Sequence, residues 1–294
     1  MERYDSSSRK IFLVCNNIFM LLLTIICVAP LIHVLAVSMS SSAAAQGGFV
    51  KFWPVDMTSQ SYRFVLARDA FWQSILVTLR RVGLGTPINL ILTVFVAYPL
   101  SKEQNRFHAR TAYAWIFFFT MLFSGGLIPS FILVHNLGLM DTIWSLILPG
   151  AVPVFNIILM LNFFRQIPTE LEEAALIDGA GHWKTLFSIY IPCSLPSIAT
   201  IALFSIVNHW NSYFDGLIFS NFPQNYPLQT YLRTIIVMRD FASMGIEDWK
   251  FLTLISDRTV KAAQVFIGAL PILMVYPFLQ RFFIKGIVVG SVKG

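Results

Sequence analysis

The chain has 294 residues, of which 56% are hydrophobic and 12% charged, roughly half the charged fraction of a soluble domain, and its mean hydropathy is +0.68. No soluble core of this length buries so much apolar surface, so lipid must solvate most of it, and a soluble globule and a disordered chain are both excluded. The formal net charge of +6 sits mostly between apolar runs, which points to the membrane surface and not to nucleic acid.

A bilayer core takes roughly 20 apolar residues in helical form. Charge-free runs therefore predict about six transmembrane helices, an all-α polytopic membrane protein whose single domain spans residues 1–294. The first run, 11–37, follows Arg3, Arg9 and Lys10 and precedes Ala43, Ala44 and Ala45. It is longer than the ~7–15 residues of a signal-peptide core, so an uncleaved first helix is expected. An external loop of about 39–70 leads to a second helix over 82–101, entered as early as Phe71, with Arg80 and Arg81 at its outer half. The third lies within 111–140, where Gly125, Gly126 and Pro129 predict a kink. The fourth is 142–164 and the fifth 196–220; after a second external loop of about 221–261, the sixth runs over 262–280. The basic residues place both termini on the cytoplasmic side, with Arg3, Arg9, Lys10, Lys102, Arg106, Arg110, Arg165, Lys184, Arg281, Lys285 and Lys293 inside. Lys51, Arg63, Arg68, Arg233, Arg239, Lys250, Arg258 and Lys261 fall in the long outside loops, which weigh little. Cys15, Cys27 and Cys193 have neither zinc-ligand nor disulfide spacing.

One inside segment differs from an ordinary connector. Residues 168–196 open with Pro168 at a helix start, and Thr169 and Glu172 have capping-box spacing. Glu170, Glu172 and Glu173 suit the positive end of a helix dipole. Leu171, Ala174, Ala175 and Ile177 continue a short helix with a small-residue face, and Gly179 and Gly181 stop it. A second short helix, 183–190, is expected to end before Pro192. The polar face is acidic, unlike the basic face of helices that lie on anionic lipid, and alanines permit close approach of a partner backbone. The segment reads as a protein-docking elbow, with a lipid-lying connector as its rival.

This elbow closely resembles the EAA loop of ABC importer permeases, E-A-A-x₃-G-x₉-I-x-L-P. Here the pattern is Glu173, Ala174, Ala175, then Gly179, then Ile189 and Pro192, with Ile191 in place of the leucine. Short strings around Tyr98-Pro99, His209-Trp210-Asn211-Ser212, Tyr226-Pro227-Leu228-Gln229 and the C-terminal tail are similar to the carbohydrate branch, in particular to permeases for complex oligosaccharides. The resemblance implies a type I ABC importer permease fold in the bacterial cytoplasmic membrane, with an EAA coupling loop over about 166–194. It implies that Glu172, Glu173, Ala174, Ala175, Asp178, Gly179, Ile189 and Pro192 couple the chain to a separate ATPase dimer, which binds ATP and Mg. It further implies a second homologous permease subunit, an extracytoplasmic solute-binding protein and an oligosaccharide substrate, with no cofactor on this chain. Residues 286–294 resemble family tails that contact the ATPase dimer near its interface.

Polar residues at membrane depth face a bundle interior or a water-filled path. On the fifth helix Ser205, Asn208, Ser212 and Asp215 recur at helical steps, with Asn211 beside them and Trp210 and Tyr213 able to stack on sugar rings. Either they line a translocation path or they hydrogen-bond between helices. The outside arginines either solvate loops or steer an acidic sugar such as an alginate or pectin fragment. His33, His135 and His209 lack metal-site spacing. An ion-coupled secondary transporter would use intramembrane carboxylates and inverted repeats; here Asp215 is the lone acid in the predicted helices and no repeat is visible. No protease nucleophile motif and no P-loop occurs, so the chain is expected not to be an enzyme.

Overall fold

The computed structural model describes residues 7–237 and 256–291, and among them every regular element is helical. The chain divides into two compact units, Met1–Asp69 with Ile235–Leu270, and Ala70–Thr234 with Pro271–Gly294. Arg3, Arg239, Lys250 and Lys293, together with residues 292–294 of the tail, lie outside the described residues.

The first unit holds α1 (Ser7–Ser38), α2 (Ser42–Gln46) and α3 (Gln60–Leu66). In its most apolar stretch α1 has a mean hydropathy of 2.7 with none of that stretch buried; a helix apolar on every side needs lipid or another chain around it. Only its end packs, where Ala36 and Val37 meet Ala44, Ala45, Val50 and Ala262. The Ser41 hydroxyl accepts the Ala44 N–H at 3.3 Å and caps α2. Ser38 Oγ and Tyr62 Oη are 2.7 Å apart, and Arg258 donates to the Ala45 carbonyl at 3.1 Å.

The second unit begins on α4 (Asp69–Ser101) and continues through α5 (Arg110–Leu122), α6 (Leu127–Asn136), α7 (Ile143–Ile147), α8 (Val154–Phe164), α9 (Thr169–Ile177), α10 (His182–Thr185), α11 (Ile191–Cys193), α12 (Leu195–Asn211), α13 (Phe214–Phe219) and α14 (Leu228–Val237). The last helix, α15 (Asp257–Ser291), is shared between the two units. The core of the second unit packs Val94, Ala97, Tyr98 and Leu100 of α4 against Ile157, Met160, Leu161 and Phe164 of α8, with Leu186, Tyr190 and Ile201.

Among the described residues three helices are long and apolar enough to cross a membrane, and up to six spans result if each of three bent pairs is counted as one. The kink expected at Gly125 and Gly126 is a 107° bend between α5 and α6, with Gly126 at φ +88°. The fourth run bends by 49° between the Ile143–Gly150 segment and α8.

Four sequence boundaries are corrected. The second helix starts at Asp69 and carries Arg81 well inside it, because the charge that interrupts the apolar run is neutralised within the fold. The fifth helix stops at Asn211 and restarts at Phe214, so Ser212 and Asp215 do not continue the helical face of Ser205 and Asn208. The second helix of the elbow does not end before Pro192. A π-helical turn over Leu186–Tyr190 leads into α11, where Pro192 sits in the first turn and its missing N–H costs nothing. The sixth helix runs beyond 280 to Ser291.

Candidate functional site

Two clusters of functional side chains lie within the second unit. One is the elbow. Pro168, with φ −55° and ψ 132°, precedes the first turn of α9, and Thr169 caps nothing with its side chain. The expected capping box is absent because Pro168, not Thr169, holds the N-cap position, and Glu172 turns inward, only 3% exposed. Its carboxylate accepts from the Tyr190 hydroxyl at 2.6 Å and faces Lys102 Nζ at 2.9 Å and Arg106 at 3.1 Å. Lys102 Nζ also lies over the rings of Tyr98 and Tyr190, 3.9 and 4.0 Å from their centroids. Burial alone would raise the Glu172 pKa, but the Tyr190 hydroxyl, Lys102 and Arg106 hold it below the usual carboxylate value. Burial lowers the Lys102 pKa against the pull of the same carboxylate.

The rest of the elbow faces outward. Glu173 is exposed and meets Arg106 at 3.3 Å. Ala174, Asp178 and Gly179 are exposed, and Ala175 and Ile189 are half-buried. Ile177 is 87% exposed and Trp183 66%. Gly179 turns the chain at φ +76°, a conformation in which side chains bearing a Cβ are strained. Pro192 is exposed on α11. Chemically, this is a short anchored helix with an outward rim of apolar and small residues.

The other cluster joins α4 to the break between α12 and α13. Arg81, 3% exposed, makes a bidentate pair with Asp215, one arm at 3.1 Å. Ser212 Oγ and the Gly216 N–H also donate to Asp215, each at 2.9 Å, so the carboxylate in the first turn of α13 is held on three sides. Arg81 Nε donates to His209 Nδ1 at 3.3 Å, and His209 Nε2 and Asn89 Oδ1 are 2.7 Å apart. The network thus assigns the ring hydrogen to Nε2. Asn89 in turn donates to the Gly150 and Ala151 carbonyls, both at 2.9 Å. Gly85 makes room for the imidazole: a Cβ there would stand 2.5 Å from His209 Nε2. Gly85→Ala should therefore overpack the site by about 1–3 kcal/mol, which a lowered melting temperature of the purified subunit would register.

Of the candidate path residues, Ser205 and Trp210 are buried within the unit, and Ser205 accepts from Asn156 at 3.4 Å. Asn208 and Asn211 are exposed, and Ser212, Tyr213 and Asp215 are half-buried. The Arg233 guanidinium sits 4.2 Å over the Tyr213 ring, and Thr230 Oγ1 donates to the Tyr213 carbonyl at 2.7 Å. Sequence reasoning located Arg81 but not its role, since its partner lies far along the chain. It missed Asn89, Lys102 and Tyr190, which carry no motif. His33 contacts the Lys51 carbonyl at 2.7 Å and His135 stacks on Phe131. Among the described residues no group of three or more His, Cys, Asp or Glu side chains could hold a metal ion.

Known proteins share this architecture. Residues 2–289 match the family described as binding-protein-dependent transport system inner membrane component. The polygalacturonan/rhamnogalacturonan transport system permease protein YtcP of Bacillus subtilis (strain 168) is 37% identical over 94% of this chain and 96% of its own. Protein LplC of the same organism is 38% identical over 99% and 98%. Among solved structures, a chain of a bacterial ABC transporter involved in import of the acidic polysaccharide alginate superposes with a TM-score of 0.83 at 35% identity, covering 96% of this chain and 99% of that one. The chain therefore belongs to the binding-protein-dependent transport system inner membrane components, the permease subunits of ABC importers, and is a transport component and not an enzyme.

Proposed function

We propose that this permease forms half of the path by which an acidic oligosaccharide crosses the bacterial cytoplasmic membrane, with both termini in the cytoplasm. A second, non-identical permease completes the path, and a solute-binding protein delivers the sugar. An ATPase dimer binds ATP and Mg and drives the cycle through Glu173, Ala174, Ala175 and Gly179 of the elbow. The observation that carries this reading is the elbow itself: the EAA residues are presented outward on a helix whose base is anchored by Glu172. Residues 286–294, which resemble family tails, meet the ATPase dimer near its interface.

The acidic substrate class is supported by relatives described with polygalacturonan/rhamnogalacturonan and with alginate. Local charge agrees. Asp215, the acid at the break before α13, is neutralised by Arg81, Ser212 and Gly216, so it does not repel a uronate. Arg233 is exposed, held on Tyr213, and has no carboxylate partner among the described residues. The test is ATP-dependent uptake into vesicles holding both permeases, the ATPase and the loaded binding protein, with acidic and neutral oligosaccharides of equal length. Uptake of the acidic sugar that needs ATP and survives a protonophore is expected; uptake without ATP overturns the reading. Arg233→Ala should cut acidic uptake roughly tenfold, the loss of about 1.5 kcal/mol from one charged hydrogen bond, and leave neutral uptake unchanged.

A further inference from the structure

The elbow's two adjacent glutamates do different things. Glu173 is exposed at the rim, whereas Glu172 is buried at the base and its oxygens are used entirely inside the subunit. A residue so enclosed does not touch a docked ATPase. We infer that Glu172 is a positioning residue for coupling: with Tyr190, Lys102 and Arg106 it locks the elbow to the end of α4, so that displacement of the elbow is delivered along α4 to the Arg81–Asp215 cluster.

Four contacts make the lock. Tyr190 brings in the π-helical turn that follows α10, Lys102 and Arg106 bring in the end of α4 and the segment after it, and Glu172 brings in α9. Arg110 closes the corner by donating to the Lys102 carbonyl at 2.7 Å. Behind it, Tyr98, Phe164 and Tyr190 pack edge to face, with centroids 4.9 Å apart for Tyr98–Tyr190 and 5.3 Å for Phe164–Tyr190. An ion pair enclosed by rings resists sliding, because separating it would leave buried charges unpaired. From Lys102, α4 continues as one helix to Arg81, about 30 Å away along its axis. There the bidentate pair and the His209–Asn89 contacts hold α4 to α12 and α13, the elements flanking the candidate path. The elbow and the path are thus joined at both ends of one helix, by a discrete contact at each end.

The inference rests on the elbow being the ATPase contact, so that assumption is measured separately in the same preparations. Glu172→Gln keeps the shape and an acceptor for Tyr190 but removes the charge that holds Lys102 and Arg106. Tyr190→Phe removes a single oxygen and serves if the first variant reaches the membrane poorly. For each, co-purification of the ATPase, basal ATP hydrolysis and uptake with loaded binding protein are measured in vesicles. Retained ATPase and basal hydrolysis are expected, with ATP hydrolysed per oligosaccharide imported rising about tenfold for Glu172→Gln and severalfold for Tyr190→Phe. An unchanged ratio in both variants overturns the inference. Loss of ATPase co-purification also overturns it, by making Glu172 part of the docking surface. Wild-type protein that fails to hold the ATPase refutes the underlying assignment of the elbow instead.

Discussion

Ala175→Trp and Gly179→Val should each abolish uptake while leaving the subunit in the membrane at normal levels. Ala175 is half-buried on α9, so an indole there projects from the rim into whatever occupies it, and overpacking such a contact costs about 1–3 kcal/mol, or roughly 5- to 150-fold in affinity. Gly179 acts by a different route. Nothing lies within 4 Å of where its Cβ would stand, so a clash is not the issue. Its φ of +76° is, since a left-handed residue with a Cβ is disfavoured by about 1–2 kcal/mol, and β-branched valine is among the worst choices. Its effect is to change the angle between α9 and α10 and so misplace Ile177 and Trp183. Neither position lies in the apolar core built on Tyr98, Phe164 and Ile201, which is why folding should survive. The measurement is membrane level, ATPase co-purification and uptake for each variant. Uptake that persists in both removes the elbow as the coupling element.

The features legible in the sequence are those set by neighbours along the chain. Apolar runs gave the spans because lipid acts on every residue of a helix at once. Gly125 and Gly126 announced the sharp bend, and Gly179 the left-handed turn, because backbone freedom is a property of single residues. What stayed hidden depends on partners far away. Thr169 and Glu172 fit a capping box by spacing, yet the helix starts one residue earlier, with Pro168 at the N-cap, and the Glu172 carboxylate goes to Lys102, Arg106 and Tyr190, partners far along the chain. Arg81 read as a boundary because hydropathy charges its full desolvation cost, and only the fold supplies Asp215. The break after Asn211 has no glycine or proline to mark it. Its cause is Asp215, which takes Arg81, the Ser212 hydroxyl and the Gly216 N–H together and so starts a new helix instead of extending the old one. That break separates Ser212, Tyr213 and Asp215 from the buried face of Ser205 and gives the candidate path an irregular stretch of backbone, which membranes tolerate where it is enclosed in protein or lines a cavity.

Arg81→Met should destabilise the subunit more than Gly85→Ala or either elbow variant, and adding Asp215→Asn should restore most of what is lost. Arg81 is 3% exposed and its partner's side chain 22%, so removing the arginine leaves a carboxylate largely out of water, at a cost of about 3–5 kcal/mol. At membrane depth no solvent enters cheaply to make up the difference. Removing both charges cancels that penalty, and buried ion pairs are often replaced by uncharged side chains at little net cost. Asparagine is the right second change because its carbonyl oxygen can still accept from Ser212 and the Gly216 N–H. Leucine would lose both of those hydrogen bonds, worth about 1 kcal/mol each, so Arg81→Met with Asp215→Leu should recover less. Melting of the purified complex and membrane levels of the four proteins read the order directly: wild type highest, the asparagine double variant near it, the leucine double variant lower, and Arg81→Met lowest. If Arg81→Met alone melts with the wild type, Asp215 does not need its partner, and the pair is not what holds α4 to the break before α13.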